Sequence, residues 1–264
     1  MPTAMSEPQE LLVLAVESSA ARSAVALLAG PRLLAVREFP RGSGGVGAGS
    51  PAAAAEAALA GIGRKPADIG LVAVSVGPGS YTGLRIGVSF AKTFAWATGA
   101  AVAAVPSLRA LAEDAAAALP EGAVLVPTAD AFRGQLYARA FRRDGPGQFT
   151  DLTGDLVLEP AELVSRLAGI RSAPATGHWQ LTTGHCCFGS GAARHQAALS
   201  AAARAAGLAL EFAPEPASPS AEAVGRIGLG LFLAGKAVTA HDLVPVYLRK
   251  TEAEERAEAR QGKA

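Results

Sequence analysis

The sequence has few cysteines, few aromatic residues and almost no net charge. Only 2 of the 264 residues are cysteine, 5% are aromatic, and the formal net charge at pH 7 is +1. The cysteines are neighbours, Cys186 and Cys187, and neighbouring cysteines join only in a strained bridge that links no distant segments, so a disulfide-stapled scaffold is excluded. A near-neutral chain also lacks the basic field with which nonspecific nucleic-acid-binding proteins attract phosphates, so if RNA is involved we expect a partner to hold it.

Long hydrophobic runs without charge are also missing. The segment nearest to membrane length, residues 86–105, has Lys92 near its middle, and a lysine there costs roughly 2.5–3.5 kcal/mol on insertion. The first ten residues, MPTAMSEPQE, contain two glutamates and no basic segment, which is unlike a secretory signal. We therefore expect a soluble, cytoplasmic protein with no membrane span.

Hydrophobic residues in general are plentiful, at 50% of the chain, which is enough for a sizeable core at this length. In the first part of the sequence, short apolar runs bounded by turn residues predict an antiparallel three-stranded meander followed by alternating helices and strands. The predicted elements are strands at 11–16, 23–28 and 33–38, a helix at 51–61 capped by Ser50, a strand at 71–76, a helix at 84–98 and a strand at 101–105.

The second part of the sequence predicts the same order of elements again. These are strands at 124–128, 135–141 and 155–159, a helix at 160–167, a strand at 182–189, a helix at 192–206, a strand at 208–212 and a helix at 220–234. Two tandem β-β-β-α-β-α units indicate an internal duplication. We expect an α/β protein of two similar lobes with a cleft between them: a first lobe of residues 1–106, joined by part of 219–264, and a second lobe of 107–218.

A glycine-rich loop follows the predicted strand at 71–76 and precedes a helix. Glycine permits positive φ and a close backbone approach, and the free N–H groups at a helix start attract anions. The loop matches neither the Walker pattern nor G-x-G-x-x-G, so it is either a phosphate or nucleotide loop or a turn that needs glycine for its shape. The candidate loop residues are Gly77, Gly79, Ser80, Thr82, Gly83 and Arg85.

Histidines and carboxylates are not arranged as a recognisable catalytic or metal site. The four histidines, at 178, 185, 195 and 241, have no partner at i+3 or i+4, the spacing that points two imidazoles at one metal from a helix. Ser19, Ser80 and Thr82 have no histidine in the first half to activate them. Glu17 and Asp130 could face each other as an acid–base pair, but cap and turn carboxylates are the preferred interpretation. We expect no catalytic and no metal-binding residue.

Several short motifs spread over the chain resemble those of one known family, the TsaB (YeaZ) proteins. They are LAVESS at 14–19, GPGSYTGLRIG at 77–87, VPSL at 105–108, Asp130-Ala131 with Arg133 and Tyr137, and PVYLR at 245–249. The GPGSYTGLR stretch is the most specific of them. The chain departs from the family pattern at Glu17, where an aspartate is expected, and at Phe132, where an arginine is usual.

The resemblance implies an actin-like ATPase (ASKHA) fold with two ribonuclease-H-like lobes. It also implies a role as the dimerisation subunit of the machinery that makes N6-threonylcarbamoyladenosine at position 37 of tRNAs reading ANN codons. Such a subunit has no cofactor of its own and pairs with the TsaD paralogue, which holds the metal and the threonylcarbamoyl-adenylate. A TsaE-type ATPase also joins, ATP or ADP can bind at the interface of the complex, and tRNA is met only through the complex. For the chain alone, the sequence leaves both a homodimer and a monomer open.

The catalytic paralogue carries a His-x-x-x-His pair after the strand that follows the glycine loop. Here the chain reads PSLRAL at 106–111, without histidine. The resemblance therefore places it with the supporting subunits, with no activity alone. The alternatives that stay open are a free-standing, kinase-like phosphotransferase of the same fold and a glycoprotease-like peptidase.

The helices at 51–61 and 84–98 are apolar on most sides, which predicts that another chain covers part of them. An alanine-rich composition would give the same pattern without a partner. The candidate interface residues are Leu59, Leu84, Arg85, Val88, Ala91 and Lys92. The stretch 171–190 follows no clear pattern, and the charged segment 251–264 is expected to be a solvated helix or a frayed tail.

Overall fold

The computed structural model describes residues 10–40, 49–170, 184–213, 215 and 217–249. Residues 41–48, most of the stretch 171–190 and the charged segment 251–264 lie outside the described residues. Within the described part, no helix is both long enough and apolar enough to cross a membrane.

Twelve strands and six α-helices make up the described chain. The strands are β1 (Leu12–Glu17), β2 (Ala24–Ala29), β3 (Arg32–Glu38), β4 (Leu71–Gly77), β5 (Ala101–Pro106), β6 (Val124–Asp130), β7 (Leu136–Ala138), β8 (Phe141–Gly145), β9 (Gln148–Asp151), β10 (Leu156–Leu158), β11 (His185–Phe188) and β12 (Leu210–Phe212). The helices are α1 (Pro51–Gly61), α2 (Tyr81–Thr98), α3 (Ser107–Ala116), α4 (Pro160–Ala168), α5 (Ser190–Ala206) and α6 (Ala221–Leu233).

These elements form two compact units. The first contains Met1–Val76, Ser80–Asp114 and Ser218–Pro245, and the second contains Gly77–Gly79, Ala115–Ala217 and Val246–Ala264. The lobe boundaries expected from the sequence, at residues 106 and 218, stay predictions.

The first unit is built on a five-stranded sheet of order β3-β2-β1-β4-β5. Strands β1, β2 and β3 form the predicted antiparallel meander, and β1 is parallel to β4. Successive side chains of β1 enter opposite cores: Leu14 and Val16 pack with α1 and α2, whereas Val13 and Ala15 pack with α6. Burial on both faces explains why β1 is an unbroken apolar run.

The second unit repeats this strand order as β10-β7-β6-β11-β12. Strands β7 and β8 pair with successive parts of β6, and β8 carries the additional strand β9. Strands β6, β11 and β12 run parallel. The duplication predicted from the sequence is therefore present in the topology of the two sheets.

Local capping explains several element boundaries. Ser50 caps α1 as predicted, since its Oγ accepts from the N–H of Ala53 at 3.2 Å. Ser220 caps α6 in the same way, at 3.0 Å from the N–H of Ala223. Helix α2 begins at Tyr81, earlier than the predicted residue 84, because Ser80 takes the cap position. Helix α3 and the β8–β9 hairpin were absent from the predicted elements.

Candidate functional site

The end of β1 is a buried polar corner of the first unit. The side chain of Glu17 is 1% exposed. Its Oε1 accepts from both the N–H and the hydroxyl of Ser19, each at 2.6 Å, whereas Oε2 is buried without a hydrogen-bond partner. Burial raises the pKa of Glu17 to about 7, against the opposing effect of the hydrogen bonds from Ser19. The two bonds from Ser19 let Glu17 hold the turn after β1.

The same turn is bound to the first turn of α2. The hydroxyl of Ser18 donates to the carbonyl O of Gly83 at 2.8 Å, and the N–H of Ser80 donates to the carbonyl O of Ser19 at 2.7 Å. A Cβ added at Gly87 would lie 2.2 Å from the Ser18 Oγ. The glycine at position 87 therefore permits a close approach of helix to turn.

The structure gives a packing role to much of the glycine-rich loop. Gly77 has a φ of 118°, which favours glycine, and Gly83 is buried. The Ser80 hydroxyl caps α2 by accepting from the N–H of Gly83 at 3.3 Å. Thr82 and Arg85 are exposed at the start of the helix. Phosphate binding by the loop residues stays a prediction, and the positive φ of Gly77 accounts for that glycine without a ligand.

The exposed face of α2 carries large side chains around an open hollow. The hollow measures about 430 Å³ and is lined by Tyr81, Thr82, Arg85, Ile86 and Ser89. Arg85 donates to the Tyr81 hydroxyl at 3.0 Å, and its guanidinium lies 5.3 Å from the centre of the Tyr81 ring. Farther along the helix, Trp96 is 85% exposed. This helix therefore presents apolar and aromatic surface to solvent.

The structure corrects the interface residues expected from the sequence. Leu59, Leu84, Val88 and Ala91 are buried in the core of the first unit. They face the sheet because an amphipathic helix turns its largest continuous apolar face to the core, so they have no surface left for another chain. Arg85 is exposed, and Lys92 is partly exposed, with its Nζ donating to the carbonyl O of His241 at 3.1 Å. Tyr81, Ile86, Ser89 and Trp96 are exposed on α2 and were not among the interface residues expected from the sequence.

In the second unit, Asp130 organises the turn after β6. Its Oδ1 accepts from the N–H of Phe132 at 3.1 Å and lies 3.4 Å from His195 Nε2. The Arg194 guanidinium lies 3.5 Å from Oδ2. These contacts occupy Asp130 within its own unit, in agreement with the preferred interpretation as a turn carboxylate.

The cysteine pair and its neighbouring histidine are buried. Burial raises the pKa of Cys186 to about 11 and that of Cys187 to about 12. His185 Nε2 lies 3.1 Å from the carbonyl O of Ile170, and burial lowers the pKa of this histidine. Thiols held protonated in this way are poor nucleophiles. Among the residues that the structure describes, no group of three or more His, Cys, Asp or Glu side chains could hold a metal ion.

Comparison with known proteins points to one family. The family model described as "TsaD: tRNA N6-adenosine threonylcarbamoyltransferase" matches residues 52–256. The Escherichia coli (strain K12) "tRNA threonylcarbamoyladenosine biosynthesis protein TsaB" is 30% identical over 190 residues, covering 70% of this chain and 73% of that protein. The Bacillus subtilis (strain 168) protein of the same name is 42% identical over 77 residues, which span only 29% of this chain and 32% of that protein.

Solved structures agree on the fold. The structure named YeaZ from Pseudomonas aeruginosa matches with a TM-score of 0.68 at 20% identity, covering 90% of this chain and all 100% of that one. A further structure, described as an uncharacterized protein with similarity to peptidase YEAZ from Pseudomonas aeruginosa, matches with a TM-score of 0.71 at 23% identity over the same shares. Together with the repeated strand order, these matches confirm the predicted actin-like ATPase (ASKHA) fold. The chain belongs to the TsaB (YeaZ) family.

Proposed function

We propose that this chain acts in the formation of N6-threonylcarbamoyladenosine in tRNA, as a non-catalytic subunit that binds a TsaD-type threonylcarbamoyltransferase. The observation that carries the proposal is the family membership, since the Escherichia coli and Bacillus subtilis relatives are both named for the biosynthesis of this nucleoside. The match of residues 52–256 to the TsaD model supports a partner related to this chain in sequence.

Three features support a subunit without catalysis of its own. The segment after β5, which forms α3 here, reads SLRALAEDAA and contains no histidine, unlike the pair expected of the catalytic paralogue. Glu17 is closed to solvent, so it does not offer the carboxylate that a kinase-like enzyme uses to hold Mg²⁺. The hydroxyls of Ser19 and Ser80 are engaged with Glu17 and with the α2 backbone, which disfavours a serine peptidase.

The surface that fits the partner is the exposed face of α2, formed by Tyr81, Arg85, Ile86, Ser89 and Trp96. Aromatic and arginine side chains of this kind are enriched at the centre of protein interfaces. The TsaD-type subunit is the proposed occupant because it is the partner that the family assignment supports. Arg85 would then meet either a carboxylate of the partner or a phosphate of ATP or ADP bound at the interface.

The further parts of the assembly follow from the same assignment. A TsaE-type ATPase joins the pair, tRNA reaches position 37 through the complex, and the whole works in the cytoplasm. When the partner is absent, the same α2 face pairs with a second copy of the chain, because burial of exposed apolar side chains against another protein surface is favourable.

The test is co-expression with the TsaD-type protein of the same organism, followed by size-exclusion chromatography with light scattering. We expect the two proteins to co-migrate as a heterodimer or a multiple of it. Ile86→Arg places a charge in the centre of the α2 face at an exposed position and should abolish co-migration without unfolding the chain. Leu233→Arg is the matched control, since Leu233 is 74% exposed on α6 of the same unit, and it should leave co-migration intact.

The outcomes separate the function from the surface. Failure of two folded wild-type proteins to co-migrate would contradict the partnership itself. Co-migration that survives Ile86→Arg would contradict only the α2 face as its site. Val88→Arg is unsuitable for this test because Val88 is 3% exposed and its substitution would damage the core.

A further inference from the structure

An unusual turn follows β6 in the second unit. Phe132, Arg133 and Gly134 have φ values of 60°, 52° and 81°, so three consecutive residues adopt the left-handed region. Only the third is a glycine, and side chains with a Cβ are strained in this conformation. The turn is closed by the N–H of Gln135, which donates to the carbonyl O of Phe132 at 3.0 Å, and by Asp130, which accepts from the N–H of Phe132. Two hydrogen bonds thus hold the backbone of Phe132 at the tip of the turn.

The ring at the tip faces solvent. Phe132 is 64% exposed, although a phenylalanine normally contributes to a core. A second aromatic side chain lies on the segment that reaches this turn: Arg249 donates to the carbonyl O of Ala131 at 2.8 Å, and Tyr247, two residues earlier, is 44% exposed. The turn therefore presents aromatic surface that the described residues leave partly exposed.

Arginines surround this aromatic surface. Arg133 lies in the turn and is exposed. Arg194 reaches the turn from the first helical turns of α5 and has a side chain that is 62% exposed. Arg249 bonds the turn backbone from the C-terminal side. Asp130 is the carboxylate among them, and its side chain is only 14% exposed beneath the turn. The surface formed by Phe132, Arg133, Arg194 and Tyr247, named here the Phe132 surface, combines flat apolar faces with guanidinium groups.

We infer that the Phe132 surface binds a single-stranded segment of RNA, with an unstacked base on the Phe132 ring and backbone phosphates on Arg133 and Arg194. Aromatic rings bind unpaired bases by stacking, and arginines bind phosphates through charge-assisted hydrogen bonds. A protein segment with acidic and apolar side chains is the alternative occupant, and the co-migration measurement below separates it from RNA. The choice of tRNA as this RNA rests on the proposed function, and it adds a direct contact where the sequence predicted only an indirect one.

The contact is local, since the chain has a net charge of +1 and no overall basic field. Binding should therefore depend on these few side chains and should weaken as salt is raised. The experiment is a fluorescence anisotropy titration of a labelled, unmodified tRNA transcript and of a labelled 15-nucleotide single-stranded RNA. The full-length chain is titrated alone and again in complex with its TsaD-type partner.

The variants are Phe132→Ala and the double variant Arg133→Ala with Arg194→Ala. Phe132→Ala should weaken binding of the single-stranded RNA at least about fivefold, the low end of measured base–aromatic stacking. The double variant should weaken it further and reduce the slope of log K against log salt by about 1 to 1.5, as expected for two lost phosphate contacts on a single strand. Leu233→Ala and Arg204→Ala are the controls, since both residues are exposed on helices away from this turn and lie outside the proposed partner surface, and they should leave binding unchanged.

Two results would overturn the inference. One is wild-type RNA affinity in both test variants, each shown to be folded by its thermal unfolding curve. The other is weakened co-migration with the TsaD-type protein in Phe132→Ala while RNA affinity stays the same, which would make the Phe132 surface a protein interface. Because co-migration and RNA binding are measured separately, loss of this inference leaves the proposed partnership intact, and failure of the partnership leaves RNA binding by the lone chain measurable.

Discussion

Glu17 is a buried carboxyl group with a structural role. The carboxyl group lies at the end of β1, where Oε1 takes two hydrogen bonds from Ser19 and Oε2 has none. Its pKa of about 7 means that folding favours the protonated group, which can be buried at lower cost than a carboxylate. The residue therefore stabilises the turn best when it is neutral.

A pH dependence of stability follows. Because the folded-state pKa is raised above the ordinary 4.5, the contribution of Glu17 is complete below about pH 4.5 and is lost as the pH rises towards 7. The total loss is about 3 kcal/mol of unfolding free energy, from the size of the pKa difference. Glu17→Gln, which imitates the protonated acid, should remove this dependence.

Urea unfolding at pH 5 and pH 8 measures the effect. The unfolding free energy of Glu17→Gln minus that of the wild type should be larger at pH 8 than at pH 5. An equal difference at both pH values would mean that Glu17 is ionised in the folded protein.

Asp114 is a partly buried carboxyl group, and it fixes the start of α6. It lies in α3 and accepts from the N–H and the hydroxyl of Ser220 at 2.6 and 2.7 Å. Partial burial raises its pKa against the lowering effect of those bonds. Asp114→Ala should reduce stability by about 1–2 kcal/mol, because it leaves the partly buried donors of Ser220 without their acceptor.

Thermal unfolding compares Asp114→Ala with Asp68→Ala. Asp68 is exposed and bonds only its neighbouring backbone N–H at Lys65, so its removal should cost less. A loss for Asp68→Ala as large as that for Asp114→Ala would contradict the capping role of Asp114.

At the scale of elements, two glycines of α6 have opposite surroundings. A Cβ added at Gly228 would lie 2.3 Å from the Cβ of Ala73 in β4, whereas a Cβ at Gly230 would meet nothing within 4 Å. Gly228→Ala should therefore destabilise the first unit by about 1–3 kcal/mol through overpacking. Gly230→Ala should stabilise it by up to about 1 kcal/mol, because alanine is the better helix former.

Denaturant unfolding of the two variants checks the packing of α6 on its sheet. An increase in the unfolding free energy of both variants would contradict the close contact between Gly228 of α6 and Ala73 of β4.

The elements also show where sequence patterns carry information and where they do not. The run LVLAVE of β1 is buried on both faces, and its unbroken apolar residues identify it as a strand from the sequence alone. The hairpin β8–β9 reads FRRDG and QFTD, and such polar segments lack the alternation by which a strand is recognised. Helix α3 begins immediately after β5. No loop separates the two elements, so the sequence has no loop segment that marks the start of the helix.

The exposed face of α2 was missed for a related reason. In an alanine-rich helix, small apolar residues occupy several faces, and periodicity does not separate the face against the sheet from the face in solvent. Packing decides between the two faces: Leu84 and Val88 lie on the buried face of α2, whereas Ile86 and Trp96 are exposed to solvent. Similarly, the Phe132 surface depends on Arg249, which is far along the chain from the turn that it contacts.

At the scale of the whole molecule, the chain has an actin-like ATPase fold, and the buried polar side chains at the end of β1 contribute to packing. The two sheets repeat one strand order, yet the side chains at the end of β1 bond to each other and to α2 rather than face a ligand. Large exposed apolar side chains lie on α2 and on the turn after β6, and others lie on β3, on α6 and at residues 244–247.

The most direct test of this account is a reconstitution of tRNA modification. The mixture contains unmodified tRNA, the synthase that supplies the threonylcarbamoyl-adenylate, and the TsaD-type and TsaE-type proteins of the same organism, and N6-threonylcarbamoyladenosine is measured by mass spectrometry of the digested tRNA. The account predicts that the nucleoside forms when this chain is present, and that omission of the chain or its replacement by Ile86→Arg removes most of the product while Leu233→Arg does not. Full yield in the absence of the chain would contradict it.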